Sequence, residues 1–174
     1  YCSNCILPNT RPNIYFNSVG ICDGCESSKQ KQETIDWSLR EMTFSQLAEE
    51  TKRKNRNYDC VIPVSGGKDS TWQVIKALEY NLNPLCVTWK TPARNSLGVS
   101  NLDNLIDLGV NHIDFTINPN VEKRFTLTAF KRFGIPLIPM HMAMHAISLQ
   151  VAINYNIPLI IWGENSAFEY GGKD

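Results

Sequence analysis

The sequence predicts an α/β fold, in which helices cover both faces of a parallel β-sheet and a small metal-stabilised segment precedes the sheet. Three observations support this prediction. Short apolar runs alternate along the chain with segments of helical periodicity. A pair of glycines separates the first of these strands from the helix that follows it. Four cysteines near the start of the chain are spaced as metal ligands are. Strands that alternate with helices form parallel sheets that are covered on both faces.

The composition favours one globular domain with a small appendage and excludes several classes of protein. The chain has 174 residues, 43% of them hydrophobic, which is enough for an ordinary core. Its 17 basic residues equal its 17 acidic residues, so nucleic acid is not expected as a partner. No apolar stretch is long enough to span a membrane, and no signal peptide is evident. With a metal-type cysteine pattern, we expect a cytoplasmic protein.

The first element is a cysteine-rich segment that we predict to bind zinc. Cys2-x-x-Cys5 and Cys22-x-x-Cys25 flank sixteen residues, a spacing typical of four-thiolate zinc sites. The insert, residues 6–21, is too small to bury a core, so a metal would order it. Four protein ligands leave no open position, which indicates a structural site. Disulfides and redox-active pairs are the alternatives.

The next residues connect this segment to the α/β domain. Residues 26–41 are polar and are predicted to form a linker or a short helix around Trp37. Thr43 is predicted as the N-cap of the following helix, with Gln46 at the capping-box position. A basic run, residues 52–56, suits the negative end of that helix, and a nucleic-acid patch is the alternative. The predicted domains are residues 1–40, the zinc segment and linker, and residues 41–174, the α/β domain.

The segment Ser65-Gly66-Gly67-Lys68-Asp69-Ser70 is the candidate functional site. An apolar, β-branched strand, residues 59–64, ends at it, and a helix is predicted from Asp69 to Tyr80. Helix N-termini present unpaired N–H groups with partial positive charge, and adjacent glycines let a ligand approach the backbone. Two hydroxyls and a lysine add further donors. The segment therefore predicts a phosphate or pyrophosphate site. It lacks the spacing of a Walker A loop, and a tight turn with an incidental lysine is the alternative.

Further strands and helices alternate after this loop. Residues 135–140 contain two prolines, so we predict an extended connector there instead of a central strand. The predicted strands are Pro84–Trp89, His112–Ile117 and Pro158–Trp162, and the predicted helices are Val99–Leu108, Val121–Phe133 and His141–Tyr155.

The loop resembles the PP-loop of the ATP-pyrophosphatase superfamily. Members of that superfamily have HUP-like folds and cleave ATP between the α and β phosphates. The resemblance implies the strand order 3-2-1-4. It also implies that Gly163-Glu164-Asn165, after the last strand, neighbours the loop, and that Trp89 lies on the other side of the nucleotide, where it stacks on adenine or simply packs. ATP and Mg²⁺ are the implied ligands. The residues implied to hold pyrophosphate are Ser65, Gly66, Gly67, Lys68 and Ser70, and Asp69 is implied to hold Mg²⁺.

The combination of motifs is similar to the N-acetyl sugar amidotransferase family. The residues that carry this resemblance are the two cysteine pairs, Ser65–Ser70, residues 87–90, residues 162–165 and residues 169–172. The family makes acetamidino sugars of bacterial surface polysaccharides, such as O-antigen, from nucleotide-linked acetamido sugars. Family chains are longer, so we expect this chain to be incomplete at its C-terminus. Lys68, Asp69 and Glu164 are the expected catalytic residues, although Glu164 is as well explained as a structural cap.

Two alternatives remain from the sequence: a tRNA-thiolating enzyme with the same loop, and a non-catalytic, zinc-stabilised nucleotide-binding module. A thiolating enzyme generally has further reactive cysteines after the loop, and here none follows Cys86. Cys60 and Cys86 lie in apolar strands, where thiols are inert. With the other four cysteines in the predicted zinc site, none is left to hydrolyse glutamine. We therefore expect a separate glutaminase subunit to supply ammonia, as the family resemblance implies.

Overall fold

The computed structural model describes residues 1–54 and 57–164. The chain divides into two compact units, one formed by Tyr1–Thr43 together with the segment that begins at Glu164, and the other by Phe44–Gly163. None of the described helices is both long and apolar enough to cross a bilayer. The elements are α1 (Asp23–Thr34), α2 (Trp37–Lys54), β1 (Cys60–Pro63), α3 (Lys68–Glu79), β2 (Pro84–Trp89), α4 (Ser96–Ile106), β3 (Asn111–Phe115), α5 (Pro119–Phe133), α6 (Ile138–Asn154) and β4 (Leu159–Ile160).

The four strands form one parallel sheet in the order β3-β2-β1-β4. In the central strand, Val61 lies opposite Leu85 of β2 on one side and Ile160 of β4 on the other. The predicted fold class and the strand order implied by the resemblance are confirmed. Because β2 and β4 flank β1, the chain leaves β1 on one side and returns to it on the other, which makes the carboxyl ends of β1 and β4 the switch point of the sheet.

Each face of the sheet carries its own apolar core, because side chains alternate along a strand. Cys60, Ile62 and Val64 face one core, which is covered by residues of α2, α3 and α4. Val61 faces the other, which α6 covers with residues such as Ile147. These central positions are fully or nearly fully buried. The strands are therefore apolar at successive positions because both of their faces are packed, as expected for a parallel sheet.

The cysteine-rich segment is built from turns followed by α1. An isolated antiparallel bridge joins Phe16 to Cys22, and the Asn17 side-chain oxygen accepts hydrogen bonds from the N–H groups of Val19 and Ile21. None of the residues of α1 is buried. The organisation of this segment therefore centres on its cysteines, since no apolar core is available to it.

The predicted start of the second helix is wrong. The second helix begins at Trp37, and Thr43 lies inside it, where its hydroxyl donates to the carbonyl of Leu39. The cap is Asp36, whose carboxylate accepts from the N–H of Leu39 at 2.9 Å. Asp is at least as good an N-cap as Thr, and this one directly precedes the first residue of α2.

The last predicted helix and strand also have different bounds. Residues 138–140, assigned to an extended connector, form the first turn of α6 because a proline in the first turn loses no intrahelical hydrogen bond. The strand predicted over Pro158–Trp162 is confined to Leu159–Ile160, where it pairs with β1. By contrast, β2 has the predicted bounds, and α5 ends at Phe133 with Gly134 in the left-handed conformation, as the sequence predicts.

Candidate functional site

The loop between β1 and α3 is fixed by a glycine that no other residue can replace without strain. Gly66 has φ +78°, in the left-handed region. A Cβ atom there would lie 2.8 Å from the backbone nitrogen of Leu102 and 3.1 Å from its Cα. The loop thus lies directly against the backbone of α4, and both its conformation and its contact require glycine. The first of the two predicted loop glycines therefore has a specific physical role.

Hydroxyl groups hold the rest of the loop in shape. The Ser70 hydroxyl donates to the Gly67 carbonyl at 3.1 Å and accepts from the Ser65 N–H at 3.3 Å. The Thr71 hydroxyl donates to the same carbonyl at 3.0 Å, and the Ser65 hydroxyl accepts from the Gly67 N–H at 3.3 Å. These bonds draw the Gly67 carbonyl toward the body of α3. Gly67 is the N-cap of α3, and its missing side chain leaves that end of the helix without a side-chain cap. The end of α3 is therefore suited to an external anion.

Lys68 and Asp69 lie side by side on the first turn of α3. Their side chains form an ion pair and are 87% and 75% exposed. An exposed pair of this kind contributes little stability and rearranges readily. Lys68 is thus free to turn toward an anion at the end of α3. The carboxylate of Asp69 suits Mg²⁺, which proteins typically bind through one or two carboxylates together with substrate phosphates.

A chain of hydrogen bonds across three strands supports the residue before the loop. The Thr88 hydroxyl donates to the Val64 carbonyl at 2.7 Å, and its oxygen lies 2.9 Å from Nε2 of His112. Because Thr88 uses its proton on Val64, Nε2 of His112 must be the donor. Burial lowers the pKa of His112, with Asp114 acting in the opposite direction, so the ring is neutral at neutral pH. This chain of hydrogen bonds is not evident in the sequence, since its members lie on separate strands.

Trp89 and the residues after it form the far side of this region. The Trp89 ring is half-buried and packs against the core beneath α6, and within residues 1–54 and 57–164 its buried Nε1 has no hydrogen-bond partner. Lys90 and Arg94 line a cleft of about 470 Å³ beside α4. Arg94 makes two 2.8 Å hydrogen bonds to the carboxylate of Asp114. Burial raises the pKa of Asp114, but these hydrogen bonds and the Arg94 charge outweigh burial and lower it. The charge of Arg94 is therefore already compensated.

The segment after β4 reaches the same edge of the sheet. The Ile161 N–H donates to the Val61 carbonyl, so the chain continues alongside β1 toward Gly163. A Cβ atom on Gly163 would lie 2.9 Å from Oε1 of Gln73, a buried residue of α3. Glu164 is exposed and belongs to the other compact unit. Asn165 and residues 169–172 lie outside the described residues.

Gln73 is not among the site residues predicted from the sequence, although its position in the helical pattern is a signal for it. Ser70, Gln73, Val74 and Ala77 recur at helical spacing and are the buried residues of α3. A polar residue at one of these positions stands out among apolar neighbours. Helical periodicity alone was therefore sufficient to mark Gln73 as unusual.

The four N-terminal cysteines converge on one point, as the spacing predicts. All four Sγ atoms lie within 4.8 Å of one another. The Cys2–Cys25 and Cys5–Cys22 separations are 3.9 and 3.7 Å. A tetrahedral zinc with Zn–S bonds of about 2.3 Å requires sulfur–sulfur separations of about 3.8 Å. A disulfide requires about 2.05 Å, and all four cysteines are free. The residues therefore fit one zinc ion and do not form disulfides.

Hydrogen bonds to sulfur favour the thiolate form of Cys2. The pKa of Cys2 is lowered to about 6 by the backbone N–H groups of Cys5, Cys22 and Asn4, against the opposing effect of burial. The Asn4 side chain donates to Sγ of Cys25 at 3.3 Å, which lowers the pKa of that thiol, but the Cys5 side chain and burial outweigh this bond and raise the pKa to about 12. Donors around a ligand hold it in place and tune its basicity. Asn4 lies within the first cysteine pair and was not singled out in the sequence.

The two remaining cysteines are buried in the sheet, as predicted. Cys60 and Cys86 are completely buried, on the face covered by α3 and α4. Burial raises the pKa of each thiol to about 12, and for Cys60 the nearby Asp59 charge adds to the effect. At neutral pH both are protonated. Neither is suited to act as a nucleophile.

Comparison with known proteins identifies the fold. No protein-family model matches the chain, and no curated protein is significantly similar to it. The solved structures that are similar to it in fold include two synthetases. The first is NMN synthetase from Francisella tularensis, with 18% identity and a TM-score of 0.51, covering 81% of this chain and 56% of that one. The second is the NH3-dependent NAD synthetase from Campylobacter jejuni subsp. jejuni NCTC 11168, in complex with the nitrate ion, with 16% identity and a TM-score of 0.54, covering 77% and 59%.

The chain therefore shares the fold of these two synthetases. The strand order β3-β2-β1-β4 and the loop that follows the central strand agree with this assignment. The chain spans less than two thirds of the length of either solved structure. At these identities the likeness establishes the fold alone.

Proposed function

We propose that this protein is an ATP-dependent amidotransferase of the PP-loop type, which converts an acetamido group of a nucleotide-linked N-acetyl sugar into an acetamidino group. The observation that carries the proposal is the loop at Gly66. Its glycine is required by both φ and contact, and it presents an uncapped helix end flanked by an exposed lysine–aspartate pair. This arrangement suits the pyrophosphate of ATP.

The proposed reaction activates a poor electrophile. The acetamido oxygen attacks the α-phosphorus of ATP, the bond to the β-phosphate breaks, and pyrophosphate leaves. Ammonia then attacks the activated carbon, the C–O bond breaks, and AMP leaves with the oxygen to give the amidine. Lys68 and the N–H groups at the start of α3 stabilise the departing negative charge. Mg²⁺, held by Asp69, would neutralise part of the same charge.

The set of motifs as a whole supports the assignment of an N-acetyl sugar as the acceptor. The cysteine pairs precede the loop, residues 87–90 lie at the end of β2, and residues 162–164 follow β4, and these two strands flank β1. The same motifs carry the resemblance to the N-acetyl sugar amidotransferases. One of the two solved structures is of an NH3-dependent synthetase, which is consistent with ammonia as the nitrogen donor. Glu164 is assigned to orienting the acceptor or nucleotide.

Ammonia is proposed to come from a separate glutaminase subunit. A glutaminase needs a nucleophilic cysteine with an activated thiolate. Cys60 and Cys86 are buried and protonated, and the other four cysteines converge on the metal site. The zinc site itself is structural, because four protein ligands leave no position for substrate.

The experiment that tests this function is acceptor-dependent ATP–pyrophosphate exchange. Labelled pyrophosphate should enter ATP when a nucleotide-linked N-acetyl sugar is present, and should not when the matching sugar without its acetamido group replaces it. Exchange that depends on tRNA instead would support a thiolating enzyme. If neither a nucleotide-linked N-acetyl sugar nor tRNA supports exchange, both assignments are contradicted.

A further inference from the structure

Gln73 of α3 is a buried polar side chain that the hydrogen bonds of the loop leave unused. The residue is 9% exposed and lies on the inward stripe of α3 with Val74 and Ala77. No described residue forms a hydrogen bond with its side-chain amide. Within residues 1–54 and 57–164, Trp89 Nε1 is the only fully buried side-chain polar atom without a partner, so the Gln73 amide keeps some contact with solvent and is accessible to a ligand. An amide has two donor hydrogens and an acceptor oxygen, and a largely buried polar side chain usually has a hydrogen-bond partner.

The position of the amide indicates a ligand. Its Oε1 lies where a side chain on Gly163 would collide with it, at 2.9 Å from a Cβ atom. Gly163 follows β4, which borders β1, and β1 leads into the loop. The amide therefore lies between α3 and the chain beyond β4, at the switch point where open α/β sheets bind ligands. It follows Ser70, the last residue of the loop, by three residues, or about one helical turn.

We propose that the Gln73 amide is a positioning group for the nucleotide, an inference that rests on the proposed function. The end of α3 would hold the β and γ phosphates. The amide would donate to the part of ATP that continues into the crevice between β1 and β4, the α-phosphate with its ribose. A neutral donor there would fix the α-phosphorus for attack by the acetamido oxygen. Pyrophosphate alone lacks this part of ATP and would not use Gln73.

The test is Gln73→Met, which keeps the length of the side chain and removes the amide. In the full chain without ligand, the urea-unfolding midpoint should be unchanged, because the amide makes no hydrogen bond to a described residue that the substitution would break. Calorimetric titration should show about tenfold weaker binding of Mg-ATP, the effect of one lost hydrogen bond. The affinity for Mg-pyrophosphate should be unchanged. Gln150→Met, at an exposed position of α6, is the matched control and should change neither affinity.

Three results would overturn the inference. A lower unfolding midpoint for Gln73→Met would show that the amide has a structural role. An unchanged affinity for Mg-ATP would show that the amide does not contact the nucleotide. An equal loss of affinity for Mg-pyrophosphate would show that it acts through the loop. Gly163→Ala provides a second variant, since its methyl group would displace the amide. It should also weaken ATP binding and leave pyrophosphate binding unchanged. If the unaltered protein binds neither ligand, the proposed function itself fails, and this inference with it.

Discussion

Replacing Gly66 by alanine tests the physical basis of the loop. Two costs add at this position. A non-glycine residue at φ +78° loses about 1–2 kcal/mol. The new methyl group would also lie 2.8 Å from the backbone of Leu102, where ordinary contact begins at 3.4 Å, and relieving such overpacking costs about 1–3 kcal/mol. We expect Gly66→Ala to lower the free energy of unfolding by about 2–5 kcal/mol in total.

Gly134 provides a matched control for this substitution. Its φ is +71°, close to that of Gly66, but nothing lies within 4 Å of where its Cβ would be. Gly134→Ala should therefore show only the conformational cost, about 1–2 kcal/mol. Urea denaturation gives both values, and titration with Mg-ATP should show binding lost in Gly66→Ala and kept in Gly134→Ala. Equal destabilisation of the two variants, or ATP binding by Gly66→Ala at full affinity, would refute the role assigned to this glycine.

Three further predictions concern the reacting groups, the metal and the nitrogen source. Lys68→Ala and Asp69→Ala should each abolish ATP use without lowering the unfolding midpoint, because both side chains are exposed. Full ATP–pyrophosphate exchange activity in either variant would contradict the loop assignment. Elemental analysis should find one zinc per chain, and a zinc-free protein would be evidence against the site. Cys25→Ser should release the zinc and increase amide hydrogen exchange in residues 1–30, while ATP binding at the loop persists. Ammonium chloride should support amidine formation and glutamine alone should not, so glutamine-driven turnover by the purified chain would disprove the need for a partner.

Local sequence signals were sufficient for most of the fold. The strands of the sheet are apolar at successive positions because both faces are buried, and that pattern is visible without a structure. The glycine pair marked the turn after β1, and the cysteine spacing marked the metal site. Helix starts were less certain, because several residue types cap equally well: Asp36, not Thr43, caps α2.

The supporting groups of the candidate site were not predictable in the same way. The chain from His112 through Thr88 to the Val64 carbonyl joins three strands, and only their register brings its members together. The contact of Gly66 with Leu102 likewise depends on how α4 lies over the loop. Gln73 was predictable only in part. Its place on the inward stripe of α3 is visible in the sequence, but the lack of a hydrogen-bond partner for its amide among the described residues is not.

The products of ATP turnover test the central claim most directly. The protein is incubated with Mg-ATP, ammonium chloride and a nucleotide-linked N-acetyl sugar, and the phosphorus-containing products are followed by ³¹P NMR. A PP-loop amidotransferase should release AMP and pyrophosphate in equal amounts, together with one acetamidino sugar for each ATP consumed. Release of ADP and inorganic phosphate would contradict the account, because the loop at the end of α3 would then not be separating the α and β phosphates.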